Sequence, residues 1–252
     1  MTDVENPEYP NLEQAAASEL ATSDSGTEND TIAHDHGGHE GHHTSLGLSN
    51  MKLAMWLFLG SECLLFGALI STYLLSKTRF LTELLAGNPI VTESIDNEEL
   101  VAEMIAEGSV EPLFDIPFTS FSSFVLLMSS LAMVLAHHAV VNNDIKGSRI
   151  WLGATAVMGS IFIGGQIYEF TTFYNEGLTF DGSLLGSALY TLTGFHGVHV
   201  SGGILMLMSL LFVSFKGRLN SDRAETVELV GLYWHFVDVV WVLIFTIVYL
   251  IP

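Results

Sequence analysis

The sequence contains a single cysteine, Cys63, and this scarcity excludes several kinds of protein chemistry. One thiol cannot form an intrachain disulfide, a CxxC pair or an iron-sulfur cluster held by this chain alone. Cys63 follows Glu62 inside an apolar run, and we interpret it as a small buried apolar residue.

Basic residues are also scarce. The chain has 8 Lys and Arg against 28 Asp and Glu, which gives a formal net charge of -20. A chain this acidic has no basic surface for a phosphate backbone, so we expect no nucleic-acid partner. Dense carboxylates on the parts exposed to water suit a protein that works in high salt, and we hold a halophilic habitat as a hypothesis.

Charged residues make up only 14% of the chain, and its mean hydropathy is +0.44, which points to a membrane protein. Five apolar stretches are each long enough to cross about 30 Å of hydrocarbon as a helix. Glycines recur within them and favour close helix packing in lipid. The sequence therefore predicts an all-α bundle of five transmembrane helices at about residues 52–75, 118–141, 150–174, 184–215 and 228–251.

Two polar segments accompany the predicted membrane domain, which covers residues 51–252. Residues 1–50 are acidic and poor in large apolar side chains, and we predict a disordered tail. Its run from His34 to His43 has the composition of a weak, flexible metal chelator, with a solvated linker as the alternative. Residues 77–117 are predicted to form an external acidic loop that includes a short amphipathic helix from Glu98 to Glu107.

The distribution of Lys and Arg predicts the orientation, because positive flanks stay in the cytoplasm. Lys77 and Arg79 fall on one side of the five-helix model. Six basic residues fall on the other side: Lys52, Lys146, Arg149, Lys216, Arg218 and Arg223. The N-terminus is then cytoplasmic and the C-terminus external. The N-terminus shows no basic and apolar signal-peptide pattern, so we expect the first apolar segment to act as a retained signal anchor in the plasma membrane.

Three carboxylates lie inside the apolar runs, where a charged residue costs at least a few kcal/mol unless it has a partner. Glu62 lies near the midplane, and we expect it to be protonated, as a proton-relay member or an interhelical hydrogen-bond donor. Asp238 lies one turn from His235, Trp234 and Trp241, and we expect a hydrogen bond between His235 and Asp238. Glu169 follows Gln166 by one turn toward the external side, where it is expected to meet the headgroup region.

Five histidines also lie within the predicted spans, and imidazole is a common ligand of haem and copper. His196 and His199 are three residues apart and are expected to share a helix face. His137 and His138 lie near the cytoplasmic end of their helix, where capping of the last carbonyls or contact with lipid phosphate accounts for them. No pair, His235 included, has a spacing that indicates a bis-histidine haem, so we predict no metal or cofactor in this chain.

Five strings resemble subunit III of the haem-copper terminal oxidases, in order and in spacing. They are FLGSECLLFGALISTYLL from Phe58, LAHHAV from Leu135, GGQIYEF from Gly164, TGFHGVHVSGG from Thr193 and YWHFVDVVWVLIFTIVY from Tyr233. The resemblance covers about residues 50–252, and the last two strings together are highly specific.

The resemblance implies a core subunit without haem or copper, packed beside the catalytic subunit of a respiratory oxygen reductase. Its expected partners in that complex are subunits I and II. It further implies support of proton uptake, protection against inactivation during turnover, and bound phospholipids. Glu62 matches the family's membrane-embedded glutamate and Glu169 the glutamate of its QxxE string. The resemblance gives proton-side or structural roles to Glu62, Gln166, Glu169, His196, His199, His235 and Asp238, and lipid or interface roles to His137, His138, Trp234 and Trp241.

One difference and two alternatives remain. Many members of the family have seven helices, whereas this sequence starts at what corresponds to the third and resembles the family's shorter five-helix form. Another chain is expected to supply the two missing helices. An accessory subunit of a nitric oxide reductase shares much of the motif set, and an independent b-type cytochrome is a weaker alternative. The sequence does not distinguish a cytochrome, a blue copper protein or a quinol as the electron donor.

Overall fold

The computed structural model describes residues 49–88, 95, 98–110, 114–175, 178–219 and 221–251. Almost all of the predicted N-terminal tail, including its histidine run, lies outside these residues. Within them the chain is helical. The helices are α1 (Asn50–Leu85), α2 (Glu98–Glu107), α3 (Ile116–Val141), α4 (Ile145–Asn175), α5 (Leu184–Phe215) and α6 (Ala224–Phe245), with a 3₁₀ turn at Ser221–Arg223 and a π-helical end at Thr246–Leu250.

The predicted all-α membrane fold is confirmed. Five helices are long and apolar enough to cross a membrane: α1, α3, α4, α5, and α6 with its π-helical end. The first is longer than predicted, because α1 continues to Leu85, ten residues past the predicted end of the span. Residues 77–85, predicted as the start of the external loop, are therefore helical, and the short helix α2 has the predicted bounds.

Side-chain oxygens mark the starts of three of the long helices. Ser49 accepts a hydrogen bond from the backbone N–H of Lys52, and Ser183 accepts one from Gly186. Asp115 accepts one from Phe118, with Pro117 in the first turn of α3. These contacts satisfy backbone donors that have no partner within the helix.

The helix α6 lies at the centre of the bundle and packs against α3, α5 and α1, while α4 packs between α3 and α5. In its membrane-crossing segment 50% of the residues are buried, against 11% in α1. The buried apolar residues of α1 recur every seven positions at Leu59, Phe66, Tyr73 and Phe80, which places them on one stripe. Most of the surface of α1 is therefore available to lipid or to another chain.

Cys63 lies on this outward surface. The prediction that it is buried is wrong, because its side chain is exposed. It lies four residues after Leu59 and three before Phe66, at the margin of the packed stripe, where its side chain faces outward. A small residue is not needed there for packing.

The N-terminus of α1, the α3–α4 turn and the α5–α6 connection meet at one end of the bundle. Ser49 hydrogen-bonds Glu225, and Lys52 Nζ forms a 2.9 Å ion pair with Glu228. Asn143, which has a positive φ of 57°, accepts a hydrogen bond from the Ser221 N–H at 3.0 Å. At the opposite end, the buried Lys77 donates to the carbonyl of Ile251. The six basic residues used to predict the orientation thus share one end.

Trp234 is the central packing residue of α6. It is 1% exposed, its ring lies against Gly159 of α4 and Gly203 of α5, and its Nε1 donates to Ser129 of α3 at 3.0 Å. Trp241, also 1% exposed, donates to Ser123 of α3 at 2.8 Å. The prediction that these two tryptophans contact lipid or a partner is wrong, because the chain's own helices cover both.

Candidate functional site

Each of the three carboxylates in the membrane-spanning region is hydrogen-bonded to a polar side chain of a different helix. Glu62 of α1 meets His199 of α5, Glu169 of α4 meets Thr119 of α3, and Asp238 of α6 meets Ser130 of α3. The predicted site residues therefore do not form one site. They form separate polar clusters at different places in the bundle.

The first cluster joins α1 to α5. Glu62 Oε2 lies 3.1 Å from His199 Nε2, and the two side chains are only 14% and 15% exposed. The other ring nitrogen, Nδ1, lies 2.7 Å from the Phe195 carbonyl oxygen. Because a carbonyl oxygen can only accept, Nδ1 carries a hydrogen. The contact between Nε2 and Glu62 then contains one proton, and the pair has no net charge whether that proton resides on the carboxyl group or on the ring.

Aromatic side chains lie on the His199 side of this pair. Phe66 of α1 contacts the His199 ring edge-on at 5.1 Å between centroids. The Tyr233 hydroxyl of α6 donates to the His199 carbonyl at 3.0 Å, and Phe58 stacks on the Tyr233 ring. Such an apolar wall strengthens the hydrogen bond between Glu62 and His199 by keeping the local dielectric constant low.

The second cluster lies between α3 and α6. Ser130 Oγ lies 2.6 Å from Asp238 Oδ2 and 3.3 Å from His235 Nδ1. The predicted direct hydrogen bond between His235 and Asp238 is replaced by this bridge. The sequence alone did not reveal it, because Ser130 is more than a hundred positions away.

The third cluster joins the C-terminal part of α4 to α3. Glu169 and Gln166 are each 6% exposed, and Glu169 Oε1 lies 2.7 Å from Thr119 Oγ1. Gln166 Nε2 lies 3.4 Å from Glu169 Oε2. The prediction that Glu169 meets the headgroup region is wrong, because the neighbouring helices bury it.

His196 lies in the core beside the first cluster. It is fully buried, stacks on Trp241 at 4.9 Å between centroids, and contacts Phe162 and Phe66 at their edges. The shared contact with Phe66 confirms that His196 and His199 lie on one side of α5. Neither ring nitrogen of His196 has a hydrogen-bond partner among the described residues, so its contacts there are those of an aromatic ring.

His137 and His138 lie near the end of α3 but do not cap it. The cap is Asn142, whose backbone N–H and side-chain amide both donate to the His138 carbonyl. His138 is exposed, whereas His137 lines a cavity between α3 and α6. The two neighbours thus face different surroundings.

Metal coordination requires several ligands at one point. Over the residues that the structure describes, no three His, Cys, Asp or Glu side chains converge in a way that could hold a metal ion. Of the five histidines in the membrane-spanning helices, only His199 and His235 belong to the polar clusters described above, and they lie in different clusters.

Four of the polar partners that the sequence reasoning missed lie on α3: Thr119, Ser123, Ser129 and Ser130. Serine and threonine are common in membrane helices, where they usually bond to their own backbone, as Ser123 does to Thr119. Their spacing was the available signal. Ser123 and Ser130 are seven residues apart on α3, and Trp234 and Trp241 are seven residues apart on α6, with Asp238 between them.

Comparison with known proteins connects this architecture to a family. The family model described as cytochrome c oxidase subunit III matches residues 29–251. The chain belongs to the cytochrome c oxidase subunit III family.

Curated relatives agree with this assignment. Cytochrome c oxidase subunit 3 of Bacillus sp. (strain PS3) is 39% identical over 201 residues, covering 80% of this chain and 86% of the relative. The Bacillus subtilis protein of the same name is 38% identical over 202 residues, with coverage of 80% and 86%. A probable quinol oxidase subunit 3 from Staphylococcus saprophyticus is 35% identical over 201 residues, covering 79% and 88%.

The subunit III family assignment makes the chain a multi-pass membrane protein related to subunits of oxidoreductase complexes. The relatives named above include subunits of both cytochrome c and quinol oxidases. Family membership therefore does not identify the electron donor.

Proposed function

We propose that this chain is a non-redox core subunit of a haem-copper terminal oxidase, which supports proton uptake, stability and lipid binding of the catalytic subunit. Subunits I and II of the complex are its partners, and they carry the haem and copper. The chain itself holds no cofactor and no catalytic centre. In this proposal the α1 N-terminus faces the cytoplasm and the end of α6 faces outward.

The observation that carries the proposal is the pairing of every membrane carboxylate with a polar group of another helix. These contacts are of the kind that hold helices together and hold protons, because a carboxyl or imidazole group in lipid needs a hydrogen-bond partner. A redox site would instead require facing ligands at one point.

The Glu62–His199 pair supports the proton-side part of the proposal. Its Nδ1 hydrogen is fixed by the Phe195 carbonyl, so the second proton of the pair has only two positions, Glu62 Oε2 and His199 Nε2. A proton can move between them without a change in net charge. Such a pair can store or pass a proton at low electrostatic cost in a membrane.

A surface groove between α4 and α5 supports the lipid-binding part. Its volume is about 500 Å³, and it is lined mainly by small and apolar residues: Gly153, Ala156, Val157, Ser160, Ile161, Met208 and Leu211. One turn before Gly153, Arg149 bonds to the hydroxyl and carbonyl of Ser214. Two of its N–H groups serve Ser214, and the others can bind a phosphate. We assign the groove to an anionic phospholipid with its headgroup at Arg149.

The proton-side role is tested with three variants of the purified oxidase complex. Glu62→Ala removes the carboxyl group, whereas Glu62→Gln keeps a donor that can bond His199 Nε2 but cannot titrate. We expect both to retain haem content and the initial rate, and both to lose oxygen consumption faster than the wild type during turnover. His199→Asn is expected to behave in the same way.

The Gln variant separates a proton role from a structural one. If Glu62→Gln inactivates at the wild-type rate while Glu62→Ala inactivates faster, the pair serves helix packing only, and the proposed proton role is wrong. If none of the three variants inactivates faster than the wild type, the pair has no part in sustaining turnover.

A further inference from the structure

A small cavity between α3 and α6 lies next to the cluster of His235, Ser130 and Asp238. Its volume is about 130 Å³, enough for several water molecules. Three of its lining residues are ionisable, His137, Glu228 and His235, which is unusual for a space between two membrane helices. The other lining residues are Met133, Val134, Val227, Gly231 and Leu232.

The cavity extends from the end of the bundle that carries the basic residues into the membrane region. Glu228, which lies at that end, is paired with Lys52 of α1, and its side chain is 40% exposed. His235 is seven residues further along α6, about 10 Å deeper by the rise of a helix. The absence of a side chain at Gly231 keeps the middle of this path open. A Cβ atom there would reach Met133 at 3.4 Å.

Beyond His235 the polar path continues by direct hydrogen bonds. His235 Nδ1 lies 3.3 Å from Ser130 Oγ, which lies 2.6 Å from Asp238 Oδ2. Asp238 is 6% exposed, and its other oxygen, Oδ1, makes no hydrogen bond within the described residues. The carboxyl group is therefore connected to the cavity through Ser130 and His235.

We propose that the cavity holds water in the assembled complex, and that His235 relays protons between this water and Asp238 through the Ser130 hydroxyl. The relay extends the proposed proton-side function, on which its physiological purpose rests. Its chemistry depends only on the three side chains and the water.

One concerted step transfers a proton from Asp238 to the cavity water through Ser130 and His235. In the protonated state, Asp238 Oδ2–H donates to Ser130, the Ser130 hydroxyl donates to His235 Nδ1, and Nε2 on the other side of the ring carries a hydrogen. Water takes the Nε2 proton as Nδ1 takes the serine hydrogen and Ser130 takes the Asp238 hydrogen. One proton then resides in the cavity water. Asp238 is a carboxylate, Ser130 is again a hydroxyl, and His235 is a neutral ring with its hydrogen on Nδ1.

The charged groups around the path come from three helices. His137 faces it from α3, Glu228, His235 and Asp238 from α6, and Lys52 of α1 compensates Glu228. Lys52 pairs with Glu228, and Glu225 of α6 also acts on Lys52, so these three groups give the entrance a net negative charge. The three polar side chains that line the cavity can supply the hydrogen-bond partners that water needs in a space of this size.

Water in the cavity can be measured by hydrogen–deuterium exchange at the C2 position of individual histidines, read by mass spectrometry on the resting, purified oxidase complex. The chain provides its own references, because His138 is exposed and His196 is fully buried. We expect His235 and His137 to exchange at rates between those two. Exchange of His235 as slow as that of His196 would show a dry cavity, filled by lipid or by a partner side chain, and would overturn the proposal.

The relay itself is tested by the deuterium shift of the Asp238 carboxyl band, identified as the infrared difference between the wild type and Asp238→Asn. In Ser130→Ala the rate at which this shift develops should fall by at least about tenfold, the factor that corresponds to about 1.4 kcal/mol of barrier. Ser130→Thr keeps the hydroxyl and should keep the wild-type rate. Gly231→Val narrows the cavity without changing a polar group and should slow exchange of both His235 and Asp238. An unchanged Asp238 rate in Ser130→Ala would refute the relay. All readings are taken without turnover, so failure of the Glu62 experiment would leave them unaffected.

Discussion

A Cβ atom placed on Gly203 would lie 2.7 Å from Cε3 of Trp234, closer than two carbon atoms pack. Gly159 on α4 has the same relationship to the other side of the indole, at 2.6 Å from Cη2. The ring therefore occupies the space of two missing side chains. Its Nε1 hydrogen bond to Ser129 fixes the remaining direction. Four helices meet at this single side chain.

Gly203→Ala is expected to destabilise the bundle by about 1–3 kcal/mol, because the indole cannot move away from both helices. Thermal unfolding of the purified subunit complex measures the effect. Gly194→Ala, on the same helix with no atom within 4 Å of its Cβ, is the matched control. It should be neutral or slightly stabilising, since alanine is the better helix former. Equal losses in both variants would show that Trp234 is not held by close packing.

Thr119→Val is expected to cost about 1–3 kcal/mol, because it leaves the buried Glu169 without the hydroxyl 2.7 Å away. Thr119→Ser keeps the hydroxyl and should cost much less. Chemical denaturation in detergent compares the two variants. In a Glu169→Leu background, Thr119→Val should have little effect, as a double-mutant cycle requires when the two groups interact directly. Additive losses would contradict the hydrogen bond.

The proposed orientation predicts which engineered cysteines an impermeant maleimide reaches in intact cells. In a Cys63→Ser background, Ala86→Cys after the end of α1 should react from outside. Arg218→Cys, in the α5–α6 connection, should react only after the membrane is opened. Ala86 and Arg218 are both exposed, so a difference in labelling between the two positions reports the side of the membrane on which each lies. The reverse labelling pattern would invert the topology.

Arg149→Ala is expected to reduce the anionic phospholipid that remains with the purified complex, because it removes the guanidinium at the head of the α4–α5 groove. Lipid mass spectrometry after mild delipidation measures the amount. Arg79→Ala removes the same charge at the other end of the bundle, from a side chain that is 70% exposed and paired with Glu83, and should leave the lipid in place. Gly153→Leu should reproduce the loss by filling the groove. A groove that instead contacts a partner helix would leave the lipid content of all three variants unchanged.

The helices were predictable because hydrophobic length alone identifies membrane spans, and α5 has the predicted bounds of residues 184–215. The end of α1 was not, because Lys77 and Arg79 resemble the start of a polar loop. In the structure Lys77 stays within the helix by donating to the Ile251 carbonyl, a partner 174 positions away. Local sequence carries no information on such a contact.

The importance of Glu62, Glu169 and Asp238 was predictable from the cost of a carboxylate in lipid, but their partners were not. Trp234 and Trp241 show a second limit of prediction from the sequence, which concerns the face of α6 that is buried. Aromatic residues near a histidine and an aspartate suggest a lipid or protein interface, yet the glycines of α4 and α5 make room for Trp234 inside the bundle. Which face of α6 is covered therefore depends on glycines of α4 and α5, which the sequence of α6 itself does not reveal.

The contacts of α1 occur at three depths: Ser49 and Lys52 with α6 at one end, Glu62 with His199 in the middle, and Lys77 with Ile251 at the other end. Sliding α1 by one residue would shift it about 1.5 Å and rotate it about 100°. All three contacts would break together. The apolar surface of α1 alone would allow many positions along the membrane normal. The three polar contacts fix one register, so the outward face of α1 meets neighbouring molecules at one depth and one rotation.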